Sequence, residues 1–211
     1  NDDDGFSFTM DGDESSPIAF VSSNKDLAVF TESAEVTMRG GVEKPLTPTN
    51  VRVNADSNVG CAAVRPVTVG REIMFVQRGG TRLRGYGYRY DFDAYSSVDL
   101  SALAEHLPKV GIVWAAYQRL PDPIIWCVTA DGALLSCTFD RDQQPAVVAW
   151  ARHDTQGVIE CCAVLHQDSS EYLWMIVRRT INGEVQRYIE RMEHTWSPFH
   201  PSSDSDGRDY G

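Results

Sequence analysis

The chain has 211 residues, of which 42% are hydrophobic, enough for the core of one ordinary domain or for part of a larger β-structure. Its 30 acidic residues outnumber its 19 lysines and arginines, so the formal charge is -11. This charge argues against a protein that binds the phosphates of nucleic acid, although it is compatible with passive contact with DNA that slides along the surface. No stretch approaches the ~20 apolar residues of a membrane-spanning helix, and the acidic N-terminus does not resemble a signal peptide.

Four apolar runs recur at intervals of about 48 residues, a spacing typical of the blades of a β-propeller. The runs cover residues 27–30, 73–76, 125–128 and 173–176. An apolar strand candidate precedes each run, at residues 18–21, 62–69, 112–117 and 158–165. A turn and a return strand follow each run. The pattern therefore predicts repeats of about four antiparallel strands.

Three pairs of turn residues predict two-residue hairpins, because glycine and asparagine adopt positive φ angles readily. The pairs are Gly79-Gly80, Asp131-Gly132 and Asn182-Gly183. Such a turn sets Ile176 opposite Ile189 in the last hairpin and Cys127 opposite Ser136 in the third, with Cys137 on the other face. Apolar residues then occupy both faces of the last hairpin, which is typical of a sheet packed on both sides.

One short helix is predicted from Asp99 to Leu107, between the second and third repeats. Asp99 is its expected N-cap, and Leu100, Leu103 and Leu107 share one face. The predicted fold is thus all-β, with propeller-like repeats of about four antiparallel strands over residues 1–195 and one short inserted helix. Residues 196–211 are rich in Pro, Ser, Asp and Gly and are expected to form a loop-like end.

The sequence assigns no catalytic, cofactor-binding or metal-binding residue. No nucleophile elbow, P-loop or dinucleotide motif occurs. The histidines lack metal-ligand spacing and are expected to be structural or solvated: His106, His153, His166, His194 and His200. The cysteines show no C-x-x-C spacing and are odd in number, which favours a reducing compartment: Cys61, Cys127, Cys137, Cys161 and Cys162. Adjacent Cys161 and Cys162 in a strand point to opposite faces, which disfavours zinc.

Two groups of carboxylates can be interpreted either as functional sites or as structural features. The acidic turn from Asp11 to Glu14 could bind a cation, but it lacks the pattern of a calcium loop and is interpreted as a solvated loop. Asp140, Asp142 and Glu160 could form the carboxylate pair of a glycosidase. Nothing in the sequence places them together, and a charged turn between strands is the favoured interpretation of residues 140–143.

Aromatic and arginine residues leave two further questions open. Five aromatic residues alternate along one stretch: Tyr86, Tyr88, Tyr90, Phe92 and Tyr95. The favoured interpretation is that they pack between repeats, and the alternative is a face that contacts sugar or protein. Arg178 and Arg187 fall opposite each other in the last hairpin, which requires an anion between them. A carboxylate from a neighbouring repeat or subunit would serve, as would a phosphate.

Several short strings, taken in order, carry a family resemblance. They are FSFT at 6–9, LTPTNV at 46–51, VRPV at 64–67, FVQRGG at 75–80, DLSALAEHL at 99–107, WCVTADG at 126–132, FDRDQ at 139–143, AW with RH at 149–153, and RYIE at 187–190. With these strings the chain resembles the large β-rich tail proteins of short-tailed bacteriophages, of the tail-tube or nozzle type.

The resemblance implies a non-enzymatic virion protein that is made in the host bacterial cytoplasm and builds the phage tail. It further implies a homo-oligomeric ring around or beneath the DNA exit channel, in contact with other tail proteins and without membrane or cofactor. Members of this family are much longer, and the first residue here is not Met, so a piece of a longer chain is expected. The alternatives are a propeller-type glycan-binding or glycan-cleaving module and a cellular propeller scaffold with a peptide-binding face, since fold does not determine function.

Overall fold

The structure is a computed structural model that describes residues 5, 7, 16–41, 45–91, 93–141 and 146–193. All regular elements among these residues are β-strands, so the predicted all-β class is confirmed. The strands form four antiparallel sheets, and in each sheet neighbouring strands follow one another along the chain. The predicted loop-like end at 196–211 lies outside the described residues.

The four sheets follow the four predicted repeats. The first sheet contains β1 (Ile18–Ser23), β2 (Leu27–Thr31), β3 (Glu35–Arg39) and β4 (Arg52–Ser57). The second contains β5 (Val67–Val69), β6 (Glu72–Val76), β7 (Leu83–Arg89) and β8 (Ala94–Asp99). The third contains β9 (Ile112–Gln118), β10 (Ile124–Thr129), β11 (Leu134–Asp140) and β12 (Val147–His153). The fourth contains β13 (Val158–Gln167), β14 (Ser170–Ile181) and β15 (Glu184–Arg191). Each predicted apolar run lies in the second strand of its sheet.

Consecutive sheets pack face to face, with one apolar core between each pair. Strand alternation divides the side chains between the two cores that flank a sheet. In β6, Ile73 and Phe75 face the first sheet, whereas Met74 and Val76 face the third. The same alternation recurs in β10, where odd-numbered side chains face the second sheet and even-numbered ones the fourth. The second and third sheets are therefore buried on both faces.

The predicted helix between Asp99 and Leu107 is wrong. Asp99 ends β8, and the next amide, that of Leu100, donates to the carbonyl of Leu83. The Ser101 hydroxyl oxygen then accepts a hydrogen bond from the Leu83 N–H. These bonds to β7 hold the chain against the second sheet, and the residues that follow form turns instead of a helix. Leu103, expected on a buried helix face, is 99% exposed.

The predicted register of the third hairpin is also wrong, by one residue. Cys127 pairs with Leu135 and not with Ser136. The loop between Thr129 and Ala133 has three residues, one more than the predicted two-residue turn, and its last residue is Gly132 at φ 83°. Cys127 and Cys137 consequently lie on the same face. All five cysteines are nevertheless free thiols.

The other two predicted turns have different outcomes. Gly79 and Gly80 both have positive φ, but the backbone pairing ends at Gln77 and Arg82, so this loop has four residues. The turn at Asn182-Gly183 is a two-residue turn with φ angles of 53° and 84°, as predicted. Its register sets Ile176 opposite Ile189, which confirms the predicted pairing of the last hairpin.

Candidate functional site: the outer face of the fourth sheet

The fourth sheet has one packed face and one open face. Leu173, Met175 and Val177 of β14 pack onto the third sheet. The alternate residues Trp174 and Ile176 point away from it, because strand neighbours project to opposite faces. We call this open side the outer face; it consists of Leu165 with Tyr172, the row Ala163, Trp174 and Arg191, and the row Cys161, Ile176 and Ile189.

Apolar side chains on the outer face are exposed. Ile176 is 36% exposed and Ile189 is 75% exposed, although the two residues are paired across neighbouring strands. Leu165 is exposed at the far end of the same face. The prediction that this hairpin is packed on both faces is therefore not met within the described residues. Contiguous exposed apolar groups mark surfaces that bind a partner.

Arg191 covers the aromatic part of the outer face. Its guanidinium carbon lies 4.5 Å from the ring centre of Tyr172 and 5.9 Å from that of Trp174. A cation above an aromatic ring is attracted by the negative ring face. Arg191 also pairs with Glu193. The row is thus amphipathic, with a fixed positive charge beside exposed aliphatic groups.

The anion required between Arg178 and Arg187 is Glu160 of β13. Its Oε1 lies 3.2 Å from Arg178 Nε, and its Oε2 lies 2.8 Å from Arg187 Nε. The hydrogen bonds between Arg187 and Glu160 are the main cause of the pKa shift of each group. They lower the pKa of Glu160 and raise the pKa of Arg187. The carboxylate comes from the neighbouring strand of the same sheet, where Glu160 is the extra residue of a bulge between Ile159 and Cys161. The structure therefore supplies this anion without a neighbouring repeat or a phosphate.

The free edge of β15 adjoins the outer face. The first three sheets each have four strands, and the fourth has three among the described residues. No described residue pairs with the far side of β15, and most of its side chains are exposed. An unpaired edge strand offers backbone donors and acceptors to a further strand. The outer face and this edge thus form one continuous surface.

A cavity of about 270 Å³ lies between the third and fourth sheets. It contains a serine-histidine contact that the sequence did not reveal, since Ser136 Oγ lies 2.9 Å from His153 Nε2 on the adjacent strand. Burial lowers the pKa of His153, so its imidazole is neutral at neutral pH. The carboxylate of Glu171 in the cavity wall accepts hydrogen bonds from the backbone N–H groups of Arg119 and Leu120. That carboxylate orders the 119–120 loop.

The residues that the sequence singled out do not converge on one site. Asp140 lies on the third sheet and Glu160 on the fourth, while Asp142 and the turn from Asp11 to Glu14 lie outside the described residues. His106 and His166 are exposed; His194 and His200 lie outside the described residues. Within the described ranges, no cluster of His, Cys, Asp or Glu is arranged to hold a metal ion, and no helix is long and apolar enough to span a membrane.

The aromatic stripe divides between core and surface. Tyr86 packs between the first two sheets, stacked on Tyr95 at 5.3 Å and edge-on to Phe30 at 5.5 Å. This contact agrees with the predicted packing between repeats. Tyr90 is exposed, and Phe92 lies outside the described residues.

Four of the five cysteines are buried core residues. Burial raises the pKa of Cys61, Cys137 and Cys162 to about 12, and it raises the pKa of Cys127 well above its ordinary value. These thiols therefore stay protonated at neutral pH and are poor nucleophiles.

Comparison with known proteins adds no assignment to this geometry. No family model matches the chain, and no curated protein matches it significantly.

Proposed function

We propose that this chain is a structural protein of a phage tail, which holds neighbouring tail proteins together and catalyses no reaction. The four sheets are, in this proposal, four consecutive blades of a propeller-like unit. The ordered sequence strings support the phage assignment, and the four stacked antiparallel sheets agree with the predicted repeats, which bear on the fold alone.

The outer face is the observation that carries the binding role. Sheets in the middle of the stack bury both of their faces, and the fourth sheet exposes Ile176 and Ile189 on one of them. Removal of apolar surface from water is favourable by roughly 25 cal/mol per Å², and this gain offsets part of the entropic cost of association. A partner that covers this face would therefore gain apolar contacts that the isolated chain lacks.

The charged groups around the outer face support a scaffold and not a reaction centre. Glu160 is held by two arginines of the outer face, Arg178 and Arg187. A carboxylate held by arginine keeps its charge and orders its neighbours. These ion pairs link strands of the fourth sheet to one another, so they shape the surface that a partner would meet.

The phage assignment is tested by locating the chain in particles. Virions purified by density gradient from the bacterium that carries the gene are analysed by mass spectrometry and by electron microscopy with antibody to the chain. We expect the chain in the particles and the label on the tail. A chain found in host cells and absent from purified particles would contradict the proposal.

The glycan-binding alternative is tested separately with the purified chain. A glycan array and a titration with host surface polysaccharide are expected to show no saturable binding. Saturable binding to one polysaccharide, together with absence from the virion, would favour the glycan-binding module.

A further inference from the structure

We infer that the cavity between the third and fourth sheets binds a small organic cation, an ammonium group attached to a short apolar chain. The cavity has a volume of about 270 Å³. Pockets for drug-sized molecules have volumes of about 300–1,000 Å³, so this one suits a smaller ligand. Of its lining residues, only Tyr172 also belongs to the outer face. The inference therefore does not depend on the proposed function, and either can fail alone.

Charge selects a cation for this cavity. Three carboxylates line it, those of Asp122, Glu171 and Glu193, and among the described residues no lysine or arginine does. The imidazole of His153 adds no positive charge at neutral pH, because burial lowers its pKa. A cleft lined by one sign of charge and bounded by apolar walls concentrates ions of the opposite sign. The lining therefore favours a positively charged ligand over a neutral or anionic one.

The buried carboxylate of Glu171 offers an open acceptor in the cavity wall. Glu171 is 9% exposed, and its Oε2 accepts hydrogen bonds from the backbone N–H groups of Arg119 and Leu120. Its Oε1 accepts no hydrogen bond from a described residue. Arg119 Nη1 lies 3.8 Å from Oε1, which is longer than a hydrogen bond, and the Arg119 side chain is 70% exposed. The fold thus fixes this oxygen in place and leaves it available to a donor in the cavity.

Two exposed carboxylates lie at the mouth of the cavity. Asp122 is in the loop between β9 and β10, and Glu193 follows β15. Glu193 pairs with Arg191, whereas Asp122 forms no ion pair within the described part of the chain. Arg119 and Arg191 therefore offset two of the three carboxylates, and the charge of Asp122 remains. An ammonium group in the cavity completes this charge balance.

The rest of the lining suits the apolar part of such a ligand. Leu173 and Met192 contribute aliphatic side chains, and the rings of Trp126 and Tyr172 contribute aromatic surface. Aromatic rings attract organic cations, and the Tyr172 ring already has the Arg191 guanidinium 4.5 Å from its centre. A bare metal ion fits less well, since no cluster of His, Cys, Asp or Glu in the described ranges is arranged to hold one.

Hexylammonium and hexan-1-ol form a matched pair of probes, because they share the alkyl chain and only the first is charged. Isothermal titration calorimetry with the full chain is expected to show saturable binding of hexylammonium at a single site. Hexan-1-ol should bind at least about tenfold more weakly, since it lacks the charge-assisted hydrogen bond. A wild-type chain that binds neither probe, or both equally, would overturn the inference and leave the cavity as a gap between two sheets.

Matched variants locate the binding site. Glu171→Gln keeps an oxygen for the two backbone N–H groups and removes the charge, and Asp122→Asn removes the unpaired charge at the mouth. Glu184→Gln is the control, because Glu184 is exposed at the start of β15, at the far end of β14 from Glu171. After circular dichroism has shown that the variants keep the wild-type spectrum, we expect both cavity variants to bind hexylammonium at least about tenfold more weakly. The control should bind like the wild type.

Asp122→Asn keeps the test decisive if Glu171→Gln does not fold, because Asp122 is exposed in a loop. Wild-type affinity in the Asp122 variant, or an equal loss of affinity in the Glu184 control, would overturn the inference.

Discussion

A pair of leucine substitutions tests the stack of sheets most simply. Leu135 is fully buried in the core between the second and third sheets, whereas Leu103 is 99% exposed in the turns after β8. Leu→Ala at a buried site costs about 2.7–5 kcal/mol, from lost burial and from the cavity left behind. We therefore expect Leu135→Ala to lower the free energy of unfolding by about 3 kcal/mol or more. Leu103→Ala should change it by less than about 0.5 kcal/mol.

Urea unfolding followed by tryptophan fluorescence measures both variants against the wild type. A shift of the midpoint with an unchanged slope assigns the effect to the folded core. A helix from Asp99 to Leu107 would bury Leu103 and make its removal costly. Equal losses for the two variants would therefore refute the turn structure of this segment and the exposure of Leu103.

Three further predictions concern a turn, a buried acid and the thiols. Gly183 has φ 84° and open space around its Cα, so Gly183→Val should cost more than ~1 kcal/mol through backbone strain alone; an unchanged melting temperature would contradict the turn. Burial is the main cause that raises the pKa of Glu35. The protonated side chain therefore makes its full contribution to folding stability below the unfolded pKa of about 4.3, and this contribution is lost as the pH rises through the raised pKa of the folded state. Glu35→Gln should remove this decline between acidic and neutral pH, and a wild-type pH profile in the variant would contradict it. Ellman's reagent at pH 8 should modify Cys161 first and the four buried cysteines only on unfolding; rapid reaction of all five would contradict their placement.

The strand content and the repeats could be predicted because they depend on local patterns. The apolar runs mark the second strand of each sheet, and Asn182-Gly183 determines both a turn and a register. The failed helix shows where local pattern is insufficient. Leucine spacing after Asp99 fits a helix, but hydrogen bonds from Leu83 and Leu100 hold that segment on the second sheet.

The surface required information that only the folded chain contains. The sequence indicated that Arg178 and Arg187 need an anion, yet it did not indicate the bulge in β13 at which Glu160 meets both of them. Ser136 and His153 lie on the neighbouring strands β11 and β12, and the sequence pattern did not predict their pairing. The outer face is visible only once the stack shows that Leu173 and Trp174 have different neighbours.

Oxidative footprinting of the outer face tests the assembly role most directly. Hydroxyl radicals label exposed aromatic and aliphatic side chains, and the label is read by mass spectrometry in the free chain and in purified virions. Trp174 and Ile189 lie on the outer face, and exposed Tyr90 of the second sheet serves as an internal reference. We predict that labelling of Trp174 and Ile189 falls in the particle relative to that of Tyr90. Equal labelling of the outer face in the free chain and in the particle would contradict its role as an assembly surface.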